Sequence, residues 1–158
     1  MKRNDRGFTL IEIVAVLLLI SFIAVAVFSH SITTDQINFV GQVDKIRQHI
    51  RYAQSLAMKR NEIWGITSDA NKYSLFKKNT SNKVQIPGEQ NAEIYLSTLG
   101  ITMNNFTVYF NKKFGIPYHS ITFNNLVTPD NLLTITISAG SQTRTLVITP
   151  ETGLIIAQ

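Results

Sequence analysis

The sequence predicts an α+β protein, in which a long N-terminal helix precedes a domain of antiparallel strands. Three observations support this prediction. Residues 8–28 form an apolar run, a helical apolar stripe continues to about residue 62, and the apolar period then changes to two. The 158 residues suffice for one domain and one appended segment. We therefore expect residues 29–158 to form a folded head behind the apolar helix.

The apolar run is interrupted only by Thr9, Glu12 and Ser21. As a helix it would be about 30 Å long, which matches the hydrocarbon core of a bilayer. The cations before it predict a cytoplasmic N-terminus and a head beyond the inner membrane. A secretory signal peptide would have a shorter apolar core and a small-residue cleavage site. A simple membrane anchor explains the length of the run, but neither Glu12 nor Gly7.

The segment after the apolar run predicts a helix that packs on a sheet. Its apolar residues recur at steps of three and four, which places them on one face. Charged and amide residues occupy much of the other face. The residues of this apolar stripe are Val43, Ile46, Ile50, Ala53 and Ala57.

Strands are predicted beyond residue 62, where apolar and polar residues alternate. Turn residues separate these segments, which favours antiparallel pairing of neighbours. In the segment FTVYF, the alternation places Phe106, Val108 and Phe110 on the inner face. The predicted strands are 62–67 and 72–78 as a hairpin, 106–110 followed by 119–123, then 132–140, and finally 143–149 with 153–157 as a second hairpin.

The composition argues against an enzyme. The chain has no cysteine, which excludes disulfides, thiol catalysis and cysteine-based zinc sites. Its three histidines, His30, His49 and His119, are scattered, and no glycine-rich phosphate loop or hydrolase motif is present. We therefore expect no catalytic residues, no metal site and no cofactor.

The heptapeptide RGFTLIE, residues 6–12, follows a short basic leader and opens the apolar run. It resembles the class III signal of type IV pilin-like proteins, which prepilin peptidase recognises. The resemblance implies cleavage between Gly7 and Phe8, N-methylation of Phe8, and a leader of residues 1–7. It also implies that the partners are other pilins in a helical filament, an inner-membrane assembly platform and membrane lipid.

Glu12 is the residue of this motif that needs a physical explanation. An ionised acid at the centre of a bilayer-spanning helix costs about 2.5–3.5 kcal/mol. In the family that the motif resembles, this glutamate lies beside the cationic N-terminal amine of a neighbouring subunit. Such a pair offsets much of the cost of burying either charge, so Glu12 would set the register of assembly. The alternative is a Glu12 whose side chain merely reaches the membrane interface.

Three later segments extend the resemblance over most of the chain. The helix–sheet layout is similar to the domain shared by pseudopilin H of type II secretion and FimT-type minor pilins. That resemblance implies a minor pilin or pseudopilin of a type II secretion pseudopilus or a type IV pilus. The segments that carry it are IRYAQSLAMKRNEIWGI (residues 50–66), VYFNKKFGIP (108–117) and LLTITISAGSQTRTLVITPETGLI (132–155).

Basic residues at predicted strand ends suggest an alternative function. Some FimT-type minor pilins are DNA receptors of uptake pili, and converging cations could follow a phosphate backbone. The competing explanation is that lysines at strand ends keep sheet edges soluble. The net charge of +5, of which the first seven residues contribute +2, is modest and favours that explanation. The candidate DNA contacts are Lys77, Lys78, Lys112, Lys113 and Arg144.

Overall fold

The computed structural model describes residues 9–29 and 34–158. The chain divides into two compact units, Met1–Ile37 and Asn38–Gln158. The first unit contains helix α1 (Leu10–Ser29), and the second contains most of helix α2 (Thr34–Arg60). Among the helices of these two ranges, none combines the length and the apolar character needed to cross a bilayer.

Ten strands follow α2 in the described part of the chain and form two antiparallel sheets. In chain order they are β1 (Trp64–Ser68), β2 (Lys72–Lys77), β3 (Lys83–Val84), β4 (Glu93–Tyr95), β5 (Thr102–Met103), β6 (Phe106–Phe110), β7 (Pro117–Tyr118), β8 (Leu133–Ala139), β9 (Gln142–Ile148) and β10 (Ile155–Ala157). The first sheet has the order β3-β2-β1-β6-β7, with β4 also paired to β2. The second has the order β10-β9-β8-β5. The α+β class predicted from the sequence is confirmed.

The apolar stripe of α2 is buried, as predicted. Its five residues are at most 4% exposed, and Ala53 and Ala57 are fully buried. They belong to one core cluster with inward residues of both sheets, among them Leu75 of β2 and Ile135 of β8. Complete burial of a large aliphatic side chain contributes about 1.5–3 kcal/mol. The helix thus holds both sheets through one shared core.

Period-two alternation located most strands correctly, including both predicted hairpins, which are β1–β2 and β9–β10. Alternate residues of β6, from Phe106 to Phe110, are buried. The strand predicted over 119–123 is wrong. There the chain turns: the His119 N–H donates to the Asn125 carbonyl, and Phe123 has a positive φ of 55°. A left-handed residue interrupts an extended strand, so the pleat ends at Tyr118.

Gly65 gives an aromatic pair room to form across the first sheet. It lies in β1 opposite Phe76 of β2 and Tyr109 of β6. A Cβ added there would lie 2.4 Å from Phe76 Cζ and 2.1 Å from the Val108 carbonyl oxygen. The Phe76 ring lies over the glycine and meets the Tyr109 ring edge-on, with centroids 5.0 Å apart. Only glycine leaves space for this packing.

Gly65→Ala is expected to lower the free energy of unfolding by about 1–3 kcal/mol, because overpacking shifts the backbone and neighbouring rings. Urea unfolding of the full-length chain in detergent measures the change. Gly41→Ala is the matched control, since Gly41 lies in α2 with no atom within 4 Å of an added Cβ. Alanine favours a helix by about 1 kcal/mol over glycine, so this variant should be as stable as the parent or more so. An equal loss in both variants would contradict the packing argument.

Candidate functional site

Of the heptapeptide RGFTLIE, the structure describes Thr9 to Glu12, whereas Gly7 and Phe8 lie outside the described residues. The Glu12 N–H donates to the Thr9 carbonyl oxygen at 3.1 Å and lies 3.4 Å from Thr9 Oγ1. The Ile13 N–H also donates to the Thr9 carbonyl, at 3.3 Å. Thr9 is therefore the N-cap of α1, and Glu12 lies in its first turn.

Thr9 is a residue of this site that the sequence analysis missed. A threonine three residues before a glutamate, at the head of an apolar run, is the capping-box pattern. A carboxylate in the first turn is also favourable beside the positive end of the helix dipole. Glu12 thus stabilises the start of its own helix, while its side chain is exposed in the single chain.

Apolar side chains are exposed along α1 as far as they are described. Leu10 is 81% exposed and Phe22 is 74% exposed. The hydroxyl of Ser21 donates to the Leu17 carbonyl at 2.7 Å, so this polar group is satisfied inside the helix. An apolar surface of this extent is typical of a segment that contacts lipid or other protein chains. The other large apolar residues exposed on this helix are Ile11, Ile13, Val14, Val16, Leu17, Leu18, Leu19, Ile20 and Ile23.

Four of the five candidate DNA contacts lie at one end of the first sheet. Trp64, the first residue of β1, is opposite Lys77 of β2 and Phe110 of β6. The end of β2 and the end of β6 therefore flank the start of β1, which brings Lys77–Lys78 and Lys112–Lys113 to the same end of the first sheet. Arg144 lies elsewhere, on β9 opposite Ile137 in the second sheet.

These cations have different surroundings. Lys77 Nζ lies 2.7 Å from Glu62 Oε2 and 5.8 Å from the centroid of the Trp64 ring. Its hydrogen bond to Glu62 lowers the pKa of that carboxyl. Lys78 and Lys112 line an open groove of about 480 Å³, whose apolar lining includes Ile121 and Phe123. The structure thus brings two of the five residues together in a groove.

A buried polar network joins α2 to β2 and to the loop before β4. His49 Nδ1 lies 2.8 Å from Tyr73 Oη, and His49 Nε2 lies 3.5 Å from Glu89 Oε1. Lys45 Nζ holds the same carboxylate oxygen at 2.7 Å. Burial raises the pKa of Tyr73 and lowers the pKa of His49, which Glu89 only partly opposes. A neutral histidine between a phenol and a carboxylate fastens the loop to the helix.

A second ionic cluster fastens β4 to its neighbours. Glu93 accepts hydrogen bonds from Lys83 and from Lys72, the latter at 2.9 Å. These bonds, with Lys83 the larger influence, lower the pKa of Glu93 to about 2. Both clusters connect elements within the head, as expected of structural groups. Across residues 9–29 and 34–158, no group of three or more histidine and acidic side chains is arranged to hold a metal ion.

Comparison with known families agrees with this architecture. Residues 2–28 match the prokaryotic N-terminal methylation motif. Residues 42–153, well over half of the chain, match the family described as type II transport protein GspH. The chain belongs to the GspH family. No curated protein gives a significant match to this GspH-family sequence.

Two crystal structures of the type IV minor pilin FimU of Pseudomonas aeruginosa (strain PAO1) resemble this GspH-family chain. The first is 15% identical, covers 79% of this chain and 91% of the FimU chain, and gives a TM-score of 0.52. The second, in another crystal form, is 16% identical, covers 73% and 88%, and gives a TM-score of 0.46. At such identity the first likeness concerns the fold alone. Together with the two family matches, it identifies a type IV pilin-like protein.

The surroundings of His49 predict a loss of stability in mild acid. Because burial lowers its pKa below 6.5, the folded chain binds fewer protons at this site than the unfolded chain. The free energy of unfolding should therefore be highest above pH 6.5 and fall as the pH decreases below it. Urea midpoints between pH 8 and pH 5 measure this slope, and His49→Gln, which does not titrate, should flatten it.

His119→Gln is the control for this measurement, because the His119 ring makes a surface contact with the Asn131 carbonyl at 3.2 Å. This variant should keep the slope of the parent chain. Glu93 contributes little between pH 8 and pH 5, because its stabilisation is lost mainly below its unfolded pKa of 4.5 and down to its folded pKa of about 2. A parent chain whose midpoint is constant from pH 8 to pH 5 would refute the prediction.

Proposed function

We propose that this chain is a minor pilin or pseudopilin, a structural subunit and not an enzyme. Prepilin peptidase cuts it between Gly7 and Phe8, Phe8 is N-methylated, and the product enters a type II secretion pseudopilus or a type IV pilus. The observation that carries this proposal is α1, an exposed apolar helix whose capped first turn holds one carboxylate. This turn belongs to the heptapeptide that resembles the peptidase signal, inside the methylation-motif match.

Before assembly, residues 8–28 anchor the subunit in the inner membrane, with the head in the periplasm. Lys2, Arg3 and Arg6 precede the apolar run, and this charge bias favours a cytoplasmic N-terminus. Lipid surrounds the helix in this state, and an inner-membrane assembly platform receives the subunit. In the filament, neighbouring helices replace the lipid around the same apolar surface.

Glu12 determines the register of the subunit by pairing with the α-amino group of Phe8 in a neighbour. In a low-dielectric filament core, an unpaired carboxylate costs several kcal/mol, whereas a close ion pair offsets much of that cost. A subunit placed one step out of register would bury Glu12 without its partner. The exposure of Glu12 in the single chain supports this role, because the side chain is available to another subunit.

The proposal predicts that processing and assembly can be separated by two substitutions. Gly7→Val should block cleavage, because the peptidase signal requires a small residue, and the full-length precursor should accumulate in the membrane. Glu12→Ala and Glu12→Gln should be cleaved normally but be lost from the filament fraction by at least about tenfold, which corresponds to 1.4 kcal/mol. The mass of the N-terminal peptide reports cleavage and methylation, and filament fractionation reports assembly.

Glu12→Asp is the control, since it keeps the charge and should retain more assembly than Glu12→Gln, which keeps the size. Full incorporation of Glu12→Gln would refute the pairing argument. An intact Met1 in the presence of active peptidase would refute the assignment to processed pilins and leave only an anchored domain.

A DNA-binding minor pilin of an uptake pilus is the second candidate. The observation in its favour is the groove that Lys78 and Lys112 share beside Phe123. Two cations could contact phosphates there, while the aromatic ring could pack against a sugar or base. The modest charge of the chain and the intramolecular pair of Lys77 with Glu62 argue against it.

DNA binding through this groove should weaken about tenfold between 50 mM and 200 mM salt, as two phosphate contacts require. Fluorescence anisotropy with a labelled duplex measures the affinity of the full-length chain. The double variant Lys78→Glu, Lys112→Glu should abolish binding, whereas Arg144→Glu should leave it unchanged, because Arg144 lies on the second sheet. Binding that is absent, or insensitive to salt, would remove this candidate.

A further inference from the structure

Turns from both sheets meet on the C-terminal half of α2. Gln54 Nε2 donates to the Gly115 carbonyl at 3.0 Å and to the Thr152 carbonyl at 2.8 Å. A Cβ added at Gly115 would lie 2.9 Å from Gln54 Cγ, and one added at Gly153 would lie 2.6 Å from Gln54 Nε2. One helical side chain therefore holds the β6–β7 turn and the β9–β10 turn together.

Three large apolar side chains surround this junction and are exposed. Met58 is 46% exposed, Phe114 is 61% exposed and Leu154 is 52% exposed. A Cβ on Gly115, which follows Phe114, would lie 3.1 Å from Met58 Cγ. Lys113 Nζ lies 5.0 Å from the centroid of the Phe114 ring. We call Met58, Lys113, Phe114 and Leu154 the α2-end surface.

The backbone at Phe114 is held by hydrogen bonds, although its side chain is exposed. Asn111 Oδ1 accepts hydrogen bonds from the N–H groups of Phe114 at 2.8 Å and Lys113 at 3.2 Å. The Asn111 carbonyl also accepts one from the Gly115 N–H at 3.1 Å. A turn whose backbone is already ordered loses less entropy on binding, and aromatic side chains are enriched among the residues that dominate interface energies.

We propose that the α2-end surface docks a different subunit of the same filament, one that offers an apolar pocket rimmed by carboxylates. This inference rests on the proposed pilin function and names a partner surface for it. Phe114 fills the pocket, and Lys113 meets a carboxylate at its rim. Lys112, Lys59 and Arg60 add positive charge nearby in the sequence, against Glu151 in the β9–β10 turn.

The charge distribution of the head favours a different subunit over a second copy. Asp69, Glu62, Glu89 and Glu93 are already engaged by lysines of the same chain. Within residues 38–158, the carboxylates outside these ion pairs are Asp44, Asp130 and Glu151, whereas the cations outside them are Arg47, Arg51, Lys59, Arg60, Lys78, Lys112, Lys113 and Arg144. Two copies of a head with this excess of cations repel each other, so the complementary partner is an acidic chain.

Photo-crosslinking from position 114 tests the inference in cells that assemble the filament. The full-length chain carries p-benzoylphenylalanine in place of Phe114, and mass spectrometry identifies the crosslinked peptide. The expected product joins this chain to a different protein with a cleaved, methylated N-terminus, at a site that contains carboxylates. Lys113→Glu should lower the yield at least about threefold. A probe at Leu99, which is 50% exposed on another turn, is the control and should not give this product.

Crosslinks only to a second copy, or to DNA, would overturn the inference. So would the absence of any product from a subunit that is cleaved and present in the filament fraction; the proposed function would then still stand. A subunit that is never cleaved or incorporated would overturn both.

Phe114→Ala removes an exposed side chain and should leave the urea midpoint unchanged while it lowers the amount of partner in the filament about tenfold.

Discussion

The burial of one apolar stripe on α2 is the interaction on which the head depends. Each sheet has a single apolar face, and such a face is stable only when another element covers it. The stripe from Val43 to Ala57 meets inward residues of both sheets in one core. The two alanines keep the helix surface flat, so that strands can approach closely. Without α2, the apolar faces of both sheets would be exposed to solvent.

The polar groups of the head depend on the same helix. Lys45 and His49 fasten the loop that contains Glu89, and Gln54 fastens the last turns of both sheets. All three lie beside the buried stripe and contact loops, and His49 also contacts Tyr73 of β2. Their hydrogen bonds therefore position the loops without interrupting the apolar core. The β6–β7 turn is held by Gln54 and by Asn111, and this hydrogen-bonded turn presents Phe114 outward.

Periodicity is a local property, which is why the sequence could predict the helices, both hairpins and the buried face of β6. It failed at residues 119–123, because the turn there depends on hydrogen bonds such as that from the His119 N–H to the Asn125 carbonyl. The grouping of Lys78 with Lys112, away from Arg144, depends on which strands are neighbours in each sheet, a long-range arrangement that local periodicity does not encode. Thr9 could have been found from its spacing to Glu12. The partner of Glu12 could not be located by folding one chain, because in the proposed filament it belongs to another.

The cap at Thr9 has a consequence for maturation. If the chain is cut after Gly7, Phe8 becomes the new terminus, and only Thr9 separates it from Leu10, the first residue of α1. The described hydrogen bonds of the cap, from the Glu12 and Ile13 N–H groups to the Thr9 carbonyl, involve only residues that the cut leaves in place. Cleavage would then remove the basic leader of residues 1–7 and leave a positive amine near the positive end of a helix dipole, where Glu12 of the same chain can balance only part of the charge. The N-terminus of the mature helix would then carry positive charge that the same chain does not fully neutralise. In the proposed filament, such a subunit would polymerise without refolding its helix, because the Glu12 carboxylate of a neighbouring subunit would neutralise that charge.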